Sequence, residues 1–105
     1  MRRRHIYFLA AKFAYNDIQR GLSYEYQTIY KSLCEALTPG QATCEFIDPY
    51  QKFEPAAFIK KLKADAEAGV DLTIIYCPYT GLISPELFSS WGQYATLGLF
   101  FLDDT

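Results

Sequence analysis

The apolar positions of this chain fall into short runs separated by polar, Gly- or Pro-marked breaks. Residues 5–11 (HIYFLAA) are apolar almost throughout, the pattern of a strand covered on both faces. Residues 12–21 (KFAYNDIQRG) turn polar and end in Gly21, and they read as a loop. From Leu22 the apolar positions Leu22, Tyr26, Ile29, Leu33 and Leu37 step by four and three, the spacing of one helical face, and Thr38-Pro39-Gly40 stops that helix. Residues 42–47 suit a second strand, closed by Asp48 and Pro49. Pro55 fits a first helical turn, Phe58, Leu62 and Ala66 continue a stripe, and Gly69 ends it.

Residues 72–77 (LTIIYC) again read as a strand apolar throughout. Ser84-Pro85-Glu86 then carries the marks of a helix start: a capping hydroxyl, a proline at the first position and an acid in the first turn. Leu87, Trp91 and Tyr94 extend that helix to Gly98, and residues 99–102 (LFFL) make a fourth strand. Strands alternating with helices, apolar on both faces, predict a parallel sheet covered on both sides. The expected fold is a single domain over residues 1–105, a flavodoxin-like three-layer α/β sandwich with four parallel strands in the order 2-1-3-4. In such folds ligands gather beyond the carboxyl ends of the strands, where the strand order reverses.

Composition narrows the function. The 105 residues are 50% hydrophobic and 21% charged with a net charge of -2, so no general basic surface offers itself to nucleic acid. Arg2-Arg3-Arg4 reads as a solvated N-terminal arm. No apolar run reaches the ~20 residues of a membrane span. Three cysteines, widely spaced and accompanied by a single histidine, argue against a zinc site or disulfide framework and for a reducing cytoplasm. Nine Tyr and eight Phe are many for a small domain; some are expected on an exposed patch, which favours a homo-oligomer.

No Gly-rich dinucleotide or phosphate loop follows the first strand, and no serine elbow is present. The chemistry left is that of carboxylates and tyrosines at strand ends: Tyr7, Asp17, Asp48, Tyr79, Glu86, Asp103 and Asp104. Such groups suit displacement at a sugar carbon, where a carboxylate traps or stabilises an oxocarbenium-like centre.

Four segments carry a resemblance. His5-Ile6-Tyr7-Phe8-Leu9-Ala10-Ala11-Lys12-Phe13 resembles the "IYF-x-A-x-x-F" start of the nucleoside 2-deoxyribosyltransferases. Asn16-Asp17-Ile18-Gln19, residues 71–78 (DLTIIYCP) and residues 90–98 (SWGQYATLG) are similar to later segments of that family, in the same order. The resemblance implies a glutamate nucleophile on the third helix, an aspartate six residues before it and a tyrosine on the first strand. Here those acidic positions fall on Ser90 and Ser84, and only Tyr7 matches. Either Glu86, one turn away, takes the nucleophile's place, or the fold persists without the reaction. On this reading Tyr7 and Glu86 are catalytic, Phe13, Asp17, Asp48, Tyr79, Ser84 and Ser90 contact the substrate, and no cofactor or metal takes part. The partner is a small nucleoside or sugar. The leading expectation is N-glycosidic bond chemistry, transfer or hydrolysis of a deoxyribosyl group. Its alternatives are an inactive relative, or a sugar- or nucleoside-binding lobe like those of periplasmic binding proteins. Each candidate also has a structural role open to it: Glu86 as partner of a helix dipole, Tyr7 as core, Asp17 as a loop residue.

Overall fold

A computed structural model of the chain describes residues 3–13, 18–37, 42–50, 53–77 and 83–99. Strands β1 (Arg4–Leu9), β2 (Ala42–Ile47), β3 (Asp71–Tyr76) and β4 (Ala95–Leu99) pair in parallel in the order β2-β1-β3-β4. This is the predicted α/β sandwich. Residues paired across a parallel ladder share a face, and the register sets Tyr7 between Glu45 and Ile74, and Phe8 between Phe46 and Ile75. Helices α2 (Pro55–Glu67) and α3 (Pro85–Ser90) lie on the Tyr7 face, where Phe58, Leu62 and Trp91 bury against Tyr7, Leu9, Leu72, Ile74 and Tyr76. Helix α1 (Lys31–Ala36) and the helical turns before it bring Ile29, Tyr30 and Leu33 onto Phe8, Ala10 and Phe46 on the other face.

β1 is buried on both faces from Ile6 to Leu9, as its continuous apolar run requires. β3 is not. Leu72, Ile74 and Tyr76 are buried while Asp71, Thr73 and Ile75 are only half-buried, so this strand alternates although its sequence reads as apolar. The Arg2-Arg3-Arg4 arm is also partly structural. Arg4 opens β1, and the Arg3 carbonyl accepts the Asp71 N–H at 2.7 Å.

The first helix departs from its predicted start. Leu22 pairs with Phe13 in an isolated antiparallel bridge, Glu25–Tyr30 forms a π-helix, and only Lys31–Ala36 is α-helical. Buried Ser23 sets this entry: its hydroxyl donates to the Ala11 carbonyl at 2.6 Å and accepts the Tyr26 N–H at 3.1 Å. α2 follows its signals. Pro55 is its first residue, and Gly69, at φ +86°, lets the chain turn left-handed. The Gly69 N–H then reaches the Ala66 carbonyl and the Val70 N–H the Asp65 carbonyl, both at 3.0 Å, the paired bonds of a Schellman end.

The largest correction concerns residues 84–102. α3 stops at Ser90, a 3-10 turn spans Trp91–Gln93, and β4 begins at Ala95, so the end of the stretch read as helix, from Ala95 to Gly98, is strand. Ala95 and Leu97 face the core while Thr96 is exposed, a period of two rather than 3.6. Gly92 permits the reversal, since a Cβ there would stand 3.3 Å from the Leu97 side chain. The predicted strand 99–102 lies outside the described residues except for Leu99.

Trp91 is fully buried, edge-on to Phe58 at 5.0 Å, Phe88 at 5.8 Å and Phe53 at 6.3 Å. It joins α2, α3 and the sheet into one core. Its indole Nε1 has no hydrogen-bond partner among the described residues. Trp91→Ala should therefore cost about 3–5 kcal/mol in a urea titration, the usual loss for a buried large aromatic. Trp91→Phe should cost clearly less, because the unpartnered N–H leaves with the indole.

Candidate functional site

The carboxyl edge, where the sequence places the site, is held by Asp48. Its Oδ2 accepts the Lys12 N–H at 3.0 Å and its Oδ1 the Tyr50 N–H at 2.8 Å, so one carboxylate pins the end of β2 to the loop after β1. Beside it the Tyr50 and Tyr76 hydroxyls stand 3.5 Å apart. Burial foremost, then Tyr50, pushes the Tyr76 phenol above its ordinary value. Phe13 is engaged in its bridge to Leu22. Ser84 caps α3 by accepting the Leu87 N–H at 3.1 Å, and Ser90 donates to the Leu87 carbonyl at 2.6 Å. Glu86 is exposed in the first turn of α3. Asp17 and Tyr79 lie outside the described residues, as do Asp103 and Asp104.

A cavity formed by described residues lies at the opposite, amino-terminal edge. It encloses about 400 Å³ between β1, β2 and the end of α2, with Arg3, Arg4, His5, Tyr7, Thr43, Glu45, Lys61 and Asp65 among its walls. Strand alternation puts His5 and Tyr7 on one face of β1, and the ladder puts Thr43 and Glu45 beside them. Lys61 and Asp65, one turn apart, come down from α2, and the Schellman end fixes Asp65 and Val70.

Within these walls His5, Tyr7, Thr43, Glu45, Lys61 and Asp65 pair with one another. The Tyr7 hydroxyl donates to Asp65 Oδ2 at 2.7 Å. His5 sits edge-on to the Tyr7 ring at 4.5 Å, with Nδ1 2.5 Å from Thr43 Oγ1 and Nε2 3.5 Å from Glu45 Oε1. Lys61 Nζ reaches both Glu45 oxygens at 3.1 Å and lies 5.2 Å from the Tyr7 ring centre. Arg4 meets Asp71 at 3.8 Å on the exposed surface. Burial, then the Asp65 hydrogen bond and the Asp65 and Glu45 charges, holds the Tyr7 phenol protonated well beyond its usual range. Exposed pairs such as Lys61–Glu45 are worth at most about 1 kcal/mol. The cavity is organised chiefly by Tyr7, the most deeply buried of its polar walls.

Of the sequence candidates among the described residues, only Tyr7 lines this cavity. Tyr7 and Glu86 are not brought together: the Tyr7 hydroxyl is committed to Asp65, and Glu86 follows the carboxyl end of β3 and is absent from the cavity walls. His5, Glu45, Lys61 and Asp65 were not singled out from sequence. Their signal is present in the matched alternation His5-x-Tyr7 and Thr43-x-Glu45 and in the four-residue step from Lys61 to Asp65. No group of three or more His, Cys, Asp or Glu side chains among the described residues could hold a metal ion, and no described helix is long and apolar enough to cross a membrane. No family model, curated protein or solved structure matches the chain.

Tyr7 and Tyr76 make stability depend on alkaline pH. Both folded-state values are raised, so folding favours the neutral phenols. That stabilisation is complete below the ordinary tyrosine value of about 10 and is lost as pH rises beyond it. The urea midpoint should hold steady from pH 7 to about 9.5 and fall above it. In the Tyr7→Phe, Tyr76→Phe double variant the alkaline fall should be visibly shallower.

Proposed function

We propose that this domain is a small-ligand-binding module, related in fold to the nucleoside 2-deoxyribosyltransferases but without deoxyribosyl transfer, that seats a sugar or nucleoside in the amino-edge cavity. The observation that carries this reading is the composition of the cavity wall. Carboxylates (Glu45, Asp65) alternate there with donors (His5, Lys61, Thr43) inside a volume of about 400 Å³, a size suited to a small molecule. Sugar hydroxyls donate and accept at once, and such a wall answers both capacities. Among the described residues Asp65 meets Tyr7 through Oδ2, and Oδ1 is offered to a ligand hydroxyl.

The separation of Tyr7 from Glu86 supports the absence of transfer chemistry, because displacement at a sugar carbon needs both groups at one point. The strand conformation of Ala95–Gly98 supports it further, since the resemblance places those residues on the nucleophile's helix.

Equilibrium dialysis against a panel of monosaccharides and deoxynucleosides, with mass spectrometry of the recovered ligand, tests this reading. Retained, intact ligand is expected, and Glu45→Gln or Asp65→Asn should weaken retention at least about tenfold, the ~1.4 kcal/mol of one lost polar contact. Circular dichroism of each variant separates lost binding from lost folding. Retention that neither variant changes would remove the cavity from the proposal.

One observation favours the glycosidic reading: the Glu86 carboxylate is exposed in the first turn of α3, open to a substrate as a nucleophile must be. Release of free base from a deoxynucleoside, abolished by Glu86→Gln, would establish that chemistry instead.

A further inference from the structure

The third layer of the sandwich holds two thiols that neither the cavity nor the carboxyl edge uses. Cys34 is exposed on α1, and Cys44 is half-buried on β2. α1 precedes β2 in the chain, with residues 37–41 between them. Leu33 and Tyr30, beside and one turn before Cys34, pack with Cys44 in one apolar cluster. Cys34 stands one turn after Tyr30 on the same side of the helix, and its thiol is near enough to the Tyr30 hydroxyl and the Cys44 thiol to help raise both above their ordinary values. That hydroxyl also lies 3.5 Å from the Cys44 carbonyl oxygen.

We propose that Cys34 and Cys44 are a redox modification site, which closes a reversible intramolecular disulfide by exchange with a small-molecule disulfide of the glutathione type. Neither thiol is bonded to another sulfur in this structure. Cys77 is out of reach. It follows the end of β3, two strands from β2 and four register positions beyond the level of Cys44, roughly 15 Å away by strand geometry. A disulfide tolerates no more than about 7 Å between Cα atoms.

The order of steps follows from exposure. Cys34 Sγ, the accessible sulfur, attacks as the thiolate one sulfur of glutathione disulfide. That S–S bond breaks, and the departing glutathione thiolate takes up a proton equivalent to the one Cys34 lost. Cys44 Sγ then attacks the Cys34 sulfur of the mixed disulfide and expels the second glutathione as its thiol. Two electrons and two protons have passed from the protein thiols to one glutathione disulfide. Burial, reinforced by Cys34, pushes the Cys44 thiol up to about 12, which makes it the second thiol to react rather than the first. Thr43 and Glu45 flank Cys44 and line the amino-edge cavity. The disulfide therefore tethers to α1 the strand that carries part of that wall.

The test uses the native full chain in mixtures of reduced and oxidised glutathione, quenched with acid, with thiols counted after denaturation. The count should fall from the three of the reduced chain to one, and dithiothreitol should restore it. Cleavage after Glu35 separates the two cysteines into different peptides, which the oxidised sample should hold together as one disulfide-linked species. Cys77→Ser should still form the link, and Cys34→Ser should form no internal disulfide. Three persistent thiols would overturn the proposal. So would a link that includes Cys77, or a lasting glutathione adduct on Cys34 beside an unreacted Cys44.

Discussion

Burying β1 on both faces is the constraint on which the rest of the structure depends. A strand with no exposed side needs a neighbour on each edge and a covering layer above and below. β2 and β3 supply the edges, and the π-helix with α1 on one face and α2 with α3 on the other supply the layers. Phe8 and Leu9 show the consequence, buried side by side in sequence but in different layers. Full burial of each such side chain contributes about 1.5–3 kcal/mol. Tyr7 adds a polar requirement: its hydroxyl, pulled under α2 with the ring, must find an acceptor there. Asp65 is that acceptor, so core packing and the geometry of the cavity are set by the same residue.

The aromatic surplus is answered in the same terms. His5, Tyr7, Phe58, Trp91 and Phe88 touch in sequence, ring against ring, from the amino edge across the Tyr7 face, and Phe88 continues to Tyr76 at the carboxyl edge. On the other face Tyr26, Tyr30, Phe8 and Phe46 form a second group. These side chains fill the two interlayer spaces of a domain whose helices α1 and α3 are only six residues long. Short helices bury little by themselves, and large rings make up the area.

What the sequence made legible was whatever local chemistry alone decides. Pro55 and Gly69 bracket α2 because proline and a left-handed glycine act within one turn. Ser84 caps α3 for the same reason. Residues 42–47 form β2 as read. The errors arose where a distant contact decides. Leu87, Trp91 and Tyr94 are spaced like a helical face, yet Leu97 is drawn beside Ile74 and the chain turns to strand at Ala95. Leu22 continues the apolar stripe of the first helix, but pairing with Phe13 and the capping by Ser23 hold it outside. The cavity was missed for a different reason. The rule that parallel sheets bind ligands at their carboxyl ends comes from where loops can vary, whereas this cavity is made by side chains of regular elements, and no loop signal marks it.

β2 shows how far one edge strand can serve two layers. Its alternation sends Thr43 and Glu45 toward α2 and Cys44 and Phe46 toward α1, and no residue of it is fully buried. An edge strand has a partner on one side only, so its position follows the layers that grip it more closely than that of β1 does. On one face the grip is Lys61 on Glu45, an exposed ion pair. On the other it is the shared packing of Tyr30, Leu33 and Cys44 against the buried cluster of Phe8, Ala10 and Cys77. Cys44 and Glu45 are consecutive, so a displacement of β2 that moves one must move the other. The same pleat that divides the strand between two layers thus couples the thiol side of the domain to its polar cavity, with no residue belonging to both.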